Sequence, residues 1–337
     1  MSDSPFVLDL QSRNGPAYAR LPASEGGGRL PRHFTHLRIR SDITGFVPPT
    51  YNPEDDELTG FVPPVFEEDG LALVAIARDH ADLPGSPIGL YHARIEAEEL
   101  AELRAAVEGT AWASLPQPRG GDFNLPTLSI AYKRAGLILE RSFNAGNGEF
   151  LEAIAPLWSR LDKILERACK SAASTLELKL EAEVDPAQPL RVHLRSTLRV
   201  RGIGHVAIAD PRVVANAAEP ALRVRVGERV SDNPHARLGK VDVQPLRTDG
   251  PSTEPTTMVL RPHGRVTIDH SWLAPHPGRY VFAARWQDYL GPPTPARGQT
   301  PLMPLPEVGP SSLGSGPYPI RGALFARAAI ELGPPRM

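Results

Sequence analysis

The clearest pattern in the chain is a period-two alternation that begins at Thr175. Leu176, Leu178, Leu180, Ala182 and Val184 share one parity, and Glu177, Lys179, Glu181 and Glu183 share the other. After the turn at 185–189, Leu190, Val192, Leu194, Leu198 and Val200 resume the apolar series, with Arg191, His193, Arg195, Arg199 and Arg201 between them. Alternate side chains of a strand point to opposite faces, so each stretch predicts a strand with one buried and one wet face. Closed as a hairpin, the pair sets Glu183 opposite Arg191 and Glu181 opposite His193. Opposite charges across strands neutralise each other, which predicts a salt-bridged surface rather than a nucleic-acid site. The row also carries no interleaved aromatic residues for stacking bases.

Further strands are expected at 206–209, 222–226, 241–243, 257–260, 265–269, 279–286 and 320–332, with Pro, Gly, Asn and Asp between them. In 222–226, Arg223 and Arg225 alternate with Leu222, Val224 and Val226, and the segment reads as one more amphipathic strand. A set of short strands at this spacing predicts an all-β sandwich for 172–337.

The first half reads differently. Strands are expected at 34–40, 71–78 and 88–95, then a helix at 98–107 with Leu100, Leu103 and Val107 on one face. A hairpin at 128–143 follows. A second helix runs to Cys169 with Ile154, Leu157, Leu161, Ile164, Leu165 and Ala168 aligned, and Pro156 predicts its first turn. This order implies an α+β domain at 31–171, an antiparallel sheet with two helices on one face. Residues 1–30, with a short extended candidate at Phe6 to Leu10 and Ser24 to Gly28 reading Ser-Glu-Gly-Gly-Gly, are expected to form a loosely attached, flexible arm.

Composition narrows the setting. The 337 residues carry a formal charge of -2, and their 41% hydrophobic content is enough for a core, which excludes a wholly disordered chain. One cysteine, Cys169, excludes an internal disulfide. Neither a secretory signal nor a membrane span is visible, so a cytoplasmic location with no membrane partner is expected.

The 37 prolines mark two unusual segments. Thr-Gly-Phe-Val-Pro-Pro occurs at 44–49 and again at 59–64, around the acidic run Glu54, Asp55, Asp56, Glu57. Two readings stand: a recognition loop anchored by Phe46 and Phe61, or a slipped duplication in a tolerant surface loop. Nine prolines in 291–319 keep that segment out of the sheet, as a docking loop or a passive crossover between strands. Tyr289 and Tyr318, at its two ends, are the candidate contacts there.

The stretch 176–211, with its Asp-Pro turns, resembles the opening of an intracellular immunoglobulin-like or fibronectin-III-like sandwich, including bacterial proteinase inhibitors of the BsuPI type. Trp272, Pro277, Gly278, Tyr280, Phe282 and Trp286 are similar to the late strands of such domains. The resemblance covers 175–332 and implies a β-sandwich in which the Tyr280 hydroxyl ties back to the backbone. The antibody cysteine pair is absent.

No catalytic constellation is legible. His33 and His36 fall on opposite faces of a strand, Asp269, His270 and Ser271 alternate up and down, and no Cys-x-x-Cys exists for zinc. Gly202-x-Gly204 lacks the third glycine of a dinucleotide site. Neither metal nor cofactor is expected. The expectation is a non-enzymatic bacterial cytoplasmic protein that binds another protein, as an inhibitor, immunity protein or accessory subunit. The alternative is a hydrolase at the domain boundary that brings His92, His205 or His270 to a carboxylate.

Overall fold

Period-two segments become strands and the two period-3.6 segments become helices in the computed structural model. It describes residues 7–13, 36–41, 51–52, 57–58, 70–76, 87–114, 127–134, 137–144, 153–212, 221–228, 241–243, 246, 257–288 and 317–333. The first-half strands are β1 (Val7–Arg13), β2 (His36–Arg40), β3 (Tyr51–Asn52), β4 (Glu57–Leu58), β5 (Gly70–Ile76), β6 (Ile88–Ile95), β7 (Thr127–Arg134) and β8 (Leu137–Asn144). The helices are α1 (Ala97–Gly109) and α2 (Ala155–Ala168). Then come β9 (Ala172–Asp185), β10 (Gln188–Gly202), β11 (Val206–Ala209), β12 (Leu222–Glu228), β13 (Val241–Val243) and β14 (Thr257–Leu260). The last are β15 (Arg265–Leu273), β16 (Gly278–Gln287), β17 (Tyr318–Pro319) and β18 (Ala323–Leu332).

The described structure is mostly β. Nine strands form one antiparallel sheet in the order β15-β10-β9-β6-β5-β2-β1-β7-β8. It runs straight across residue 171, where β6 pairs with β9 from Ile88↔Leu176 to Tyr91↔Ala172. A four-stranded sheet, β13-β12-β16-β18, and a three-stranded one, β14-β11-β17, complete the second half. Only β11 and β17 pair parallel among these strands. The extended segment expected at Phe6 to Leu10 forms as Val7–Arg13, but as an interior strand between β2 and β7 and not as part of a loosely attached arm. Leu8 and Leu10 are buried there, and that burial outweighs the glycine-rich stretch that follows.

Cross-strand partners share a face, so register decides which side chains lie together. One row joins Leu8, Ile39, Ala72 and Ala93, and the next joins Leu10, Leu37, Val74 and Tyr91. All eight are buried. The helices lie on this face: a Cβ on Gly70 would stand 3.2 Å from Leu100, and the Tyr132 hydroxyl donates to Glu108 at 3.1 Å. α2 begins at Ala155 with Pro156 in its first turn, as the sequence predicts, because a first-turn proline sacrifices no helical hydrogen bond. Arg167 to Glu99 (2.6 Å) and Arg160 to Glu102 tie α2 to α1 at the surface.

The opposite face carries the second core. Ile88 pairs with Leu176 and has the parity opposite to Tyr91, so Leu176, Leu178 and Leu180 of β9 point away from the helices. On β10 and β15 they continue as Leu198, Val266, Leu194, His270, Val192 and Trp272. The four-stranded sheet covers this side. Trp272 meets Tyr280 and Phe282 edge to face at 4.8 and 5.5 Å, and Trp286 donates its indole N–H to the Ala209 carbonyl at 3.2 Å. The large sheet is therefore covered by helices on one face at one end and by a sheet on the other face at the other.

The hairpin expected at 185–189 forms, with a different register. Gln188 pairs with Asp185, the register then shifts, and beyond it His193 lies opposite Glu183 and Arg195 opposite Glu181. Pro189 has no N–H to give the ladder, so the irregularity falls beside it. The salt-bridged face survives the slip: Arg195 reaches Asp269 and Arg201 reaches Glu177, both at 2.9 Å.

Candidate functional site

Register also assembles a surface that no single segment displays. In the four-stranded sheet Leu222, Val224, Val226, Tyr280, Phe282, Ala284, Trp286, Leu324 and Ala326 are buried, so the residues between them point outward. Arg223 lies directly opposite Arg285, which lies opposite Phe325. In the next row Asp242, Arg225, Ala283 and Arg327 follow one another across the sheet. Gly227, Val281 and Ala329 form a third row, and Arg279 with Glu331 closes the end.

Among the described residues of this face, five arginines (223, 225, 279, 285, 327) stand with two carboxylates, Asp242 and Glu331. Asp242 sits between two guanidiniums, 3.0 Å from Arg225 and 3.8 Å from Arg223. Arg279 and Glu331 approach to 3.9 Å. The Arg285 guanidinium lies over the Phe325 ring, 5.7 Å from its centroid, a cation–π contact. Small side chains floor the middle of the face, where Ala283 separates Arg225 from Arg327. Among its described residues, this face therefore carries more guanidinium than carboxylate groups. Only Arg223 and Arg225 are close in sequence. Arg285 and Arg327 join them through long-range pairing, which is why the sequence shows an ordinary amphipathic strand there.

The residues singled out from sequence fall elsewhere. Phe46, Phe61 and Tyr289 lie outside the described residues. Tyr318 is 8% exposed on β17, where its N–H donates to the His205 carbonyl at 2.9 Å. Burial raises its phenol above the ordinary value. Its ring therefore packs into the core instead of standing on a docking loop.

Among the described residues the histidines form no catalytic set around His270. His270 is buried between the sheets with Nε2 3.5 Å from Ser196 Oγ, and its Nδ1 has no hydrogen-bond partner. Burial lowers its pKa to about 4. Asp269, the neighbouring carboxylate, points to the other face and binds Arg195. Burial also lowers the pKa of His92. His193 reaches the turn carboxylate of Asp185 at 3.2 Å on an exposed surface. Among the described residues no group of three or more His, Cys, Asp or Glu side chains could hold a metal ion. No described helix is long and apolar enough to cross a membrane. No protein-family model matches the chain, and no curated protein matches it.

Proposed function

We propose that this chain is a non-enzymatic protein-binding protein of the inhibitor, immunity or accessory-subunit kind, acting in a bacterial cytoplasm. The observation that carries the reading is where its exposed large hydrophobic residues sit. Among the described residues these are Val241 (57% exposed) on β13, Val259 (53%) on β14, Leu273 (61%) on β15, and Leu246 (51%). The Leu246 N–H donates to the Asp269 carbonyl of β15 at 2.8 Å, so the chain itself takes up the β15 edge at that point and leaves the Leu273 end for a partner strand. Each of β13, β14 and β15 is the terminal strand of its sheet. Apolar side chains on a sheet edge favour addition of a strand from another protein, in which backbone bonds supply affinity and side chains supply specificity.

The second half is read as an immunoglobulin-like sandwich. Two features support that finer description: the face-to-face packing through Trp272, and the Tyr280 hydroxyl, which donates to the His276 carbonyl at 2.8 Å. Affinity capture from bacterial lysate tests the function, using the wild type beside Val241→Lys and Leu273→Lys. A protein retained by the wild type and lost from both edge variants is expected. Capture of nothing, or equal capture by all three baits, would sink the proposal.

A further inference from the structure

We infer that the outer face of β10 and β15 holds a site for a single phosphoryl group on a side chain of the protein partner, an inference that rests on the protein-binding reading above. Arg199 lies directly opposite Arg265, and one row along the same face Thr197 lies opposite Thr267. Both arginines are exposed, and neither guanidinium is in a hydrogen bond or an ion pair among the described residues. The carboxylates around them are engaged elsewhere. Glu177 stands opposite Arg199 on β9 but bonds Arg201 at 2.9 Å. Asp269 bonds Arg195 at 2.9 Å, and Glu181 bonds Lys179 at 2.6 Å. Like charges directly across a ladder work against the fold, so an opposed pair without counter-ions, beside rows that are paired, is suited to a ligand lying between them.

The donor set selects the anion. Directly opposed residues of an antiparallel pair have Cα atoms about 5 Å apart, so two guanidiniums there converge readily on one group. Thr197 Oγ1 and Thr267 Oγ1 lie 3.4 Å apart, which places two hydroxyl donors together beside the arginines. A phosphoserine or phosphothreonine side chain brings about -1.5 to -2 charges and three acceptor oxygens, enough to answer both guanidiniums and the hydroxyls. A carboxylate takes one guanidinium through both oxygens and leaves the second charge unmatched. An extended polyanion such as nucleic acid would run from the arginine pair onto Glu181 and Asp269, two rows away on the same face. A single group seated between Arg199 and Arg265 avoids them.

The test is an NMR titration of the arginine side-chain N–H signals of the full chain in low salt. Four probes are used: a glycine-rich peptide bearing one phosphoserine, the same peptide with serine, the same with glutamate, and an oligothymidylate. The phosphopeptide shifts two arginine signals saturably, and these are the signals lost in Arg199→Gln and Arg265→Gln. The serine peptide shifts neither, and the glutamate peptide binds about tenfold or more weakly. Each substitution weakens the phosphopeptide about tenfold or more, since it removes a charge-assisted contact. Each also ends the like-charge opposition, so Tm stays level or rises, which separates loss of a ligand contact from loss of the fold.

The inference falls if the phosphopeptide gives no saturable shift, if it binds Arg199→Gln and Arg265→Gln as well as the wild type, or if the glutamate peptide or the oligothymidylate binds as tightly. Its failure is separable from failure of the broader reading. Edge variants that lose a captured partner while the phosphopeptide fails leave protein binding intact and remove only this site.

Discussion

Ser196 Oγ stands 3.5 Å from Nε2 of His270 in the core between the two sheets, and the other ring nitrogen has no partner. Leu194 lies opposite His270 and Ile268 opposite Ser196, and burial outweighs the smaller opposing pull of the neighbouring Asp269 carboxylate on the imidazole. Burial holds the imidazole neutral, with a pKa of about 4 against 6.5 for the free side chain. As pH falls, the unfolded chain therefore takes up this proton before the folded one. The contribution to stability is complete above about pH 6.5, declines down to about pH 4 and levels off below, a total of about 3 kcal/mol. Urea midpoints measured across that range check it. His270→Leu is expected to flatten the wild-type decline, and an unchanged slope would refute the assignment.

Gly89 lies at the seam where β6 meets β9. Its φ is +130°, and a Cβ there would stand 2.8 Å from the Thr175 Cα and closer still to the Ser174 carbonyl oxygen. Both obstacles are backbone of the neighbouring strand, which cannot rotate away. Gly89→Ala should cost about 3 kcal/mol or more by combined strain and overpacking. Gly109 ends α1 in open space, where an added Cβ would meet nothing within 4 Å, so Gly109→Ala is the matched control. It should be neutral or gain up to about 1 kcal/mol. Denaturant midpoints of the two variants test whether the β6–β9 seam is as tight as the backbone geometry requires.

The strands and their inward faces were readable because burial writes itself as parity: Leu176 to Val184 and Leu190 to Val200 needed no partner to be recognised. Pairing is another matter. Nothing local in Val7–Arg13 says that it lies between β2 and β7, and nothing local in Ile88–Ile95 says that it pairs with β9. These are contacts between distant segments, and alternation tells only which face a residue takes. The slip beside Pro189 shows the same limit at short range, since one irregularity moved Glu183 from Arg191 to His193. The arginine face needed three such pairings at once, and so was invisible until the register was known.

Tyr280 ties the entry of β16 to the preceding turn. Its ring packs against Trp272 at 4.8 Å while its hydroxyl donates to the His276 carbonyl at 2.8 Å. Tyr280→Phe keeps the ring and removes the donor, so it isolates the bond. The expected loss is about 1 kcal/mol, the net worth of one hydrogen bond. Tyr280→Leu removes the edge-to-face packing as well and should cost about 3 kcal/mol. An unchanged thermal melt for Tyr280→Phe would show that the hydroxyl contributes nothing, and equal losses in the two variants would show that the ring packing adds nothing.

On α2, Asp162 carries a buried carboxylate oxygen, Oδ1, with no hydrogen-bond partner. Burial raises its pKa, and Glu166, one turn further along the helix, raises it again. An acid whose folded pKa exceeds its unfolded one weakens the fold when ionised. Its penalty is therefore present at neutral pH and is relieved as pH falls through the folded value. Asp162→Ala removes the unpaired group and improves helix propensity, so it should raise stability by about 1 kcal/mol at neutral pH. The gain should shrink toward acidic pH, where the wild-type carboxyl is protonated. Paired melts of wild type and Asp162→Ala at neutral and acidic pH check both the sign and the trend. A variant less stable than wild type at neutral pH would mean that the carboxylate is held by a favourable contact instead.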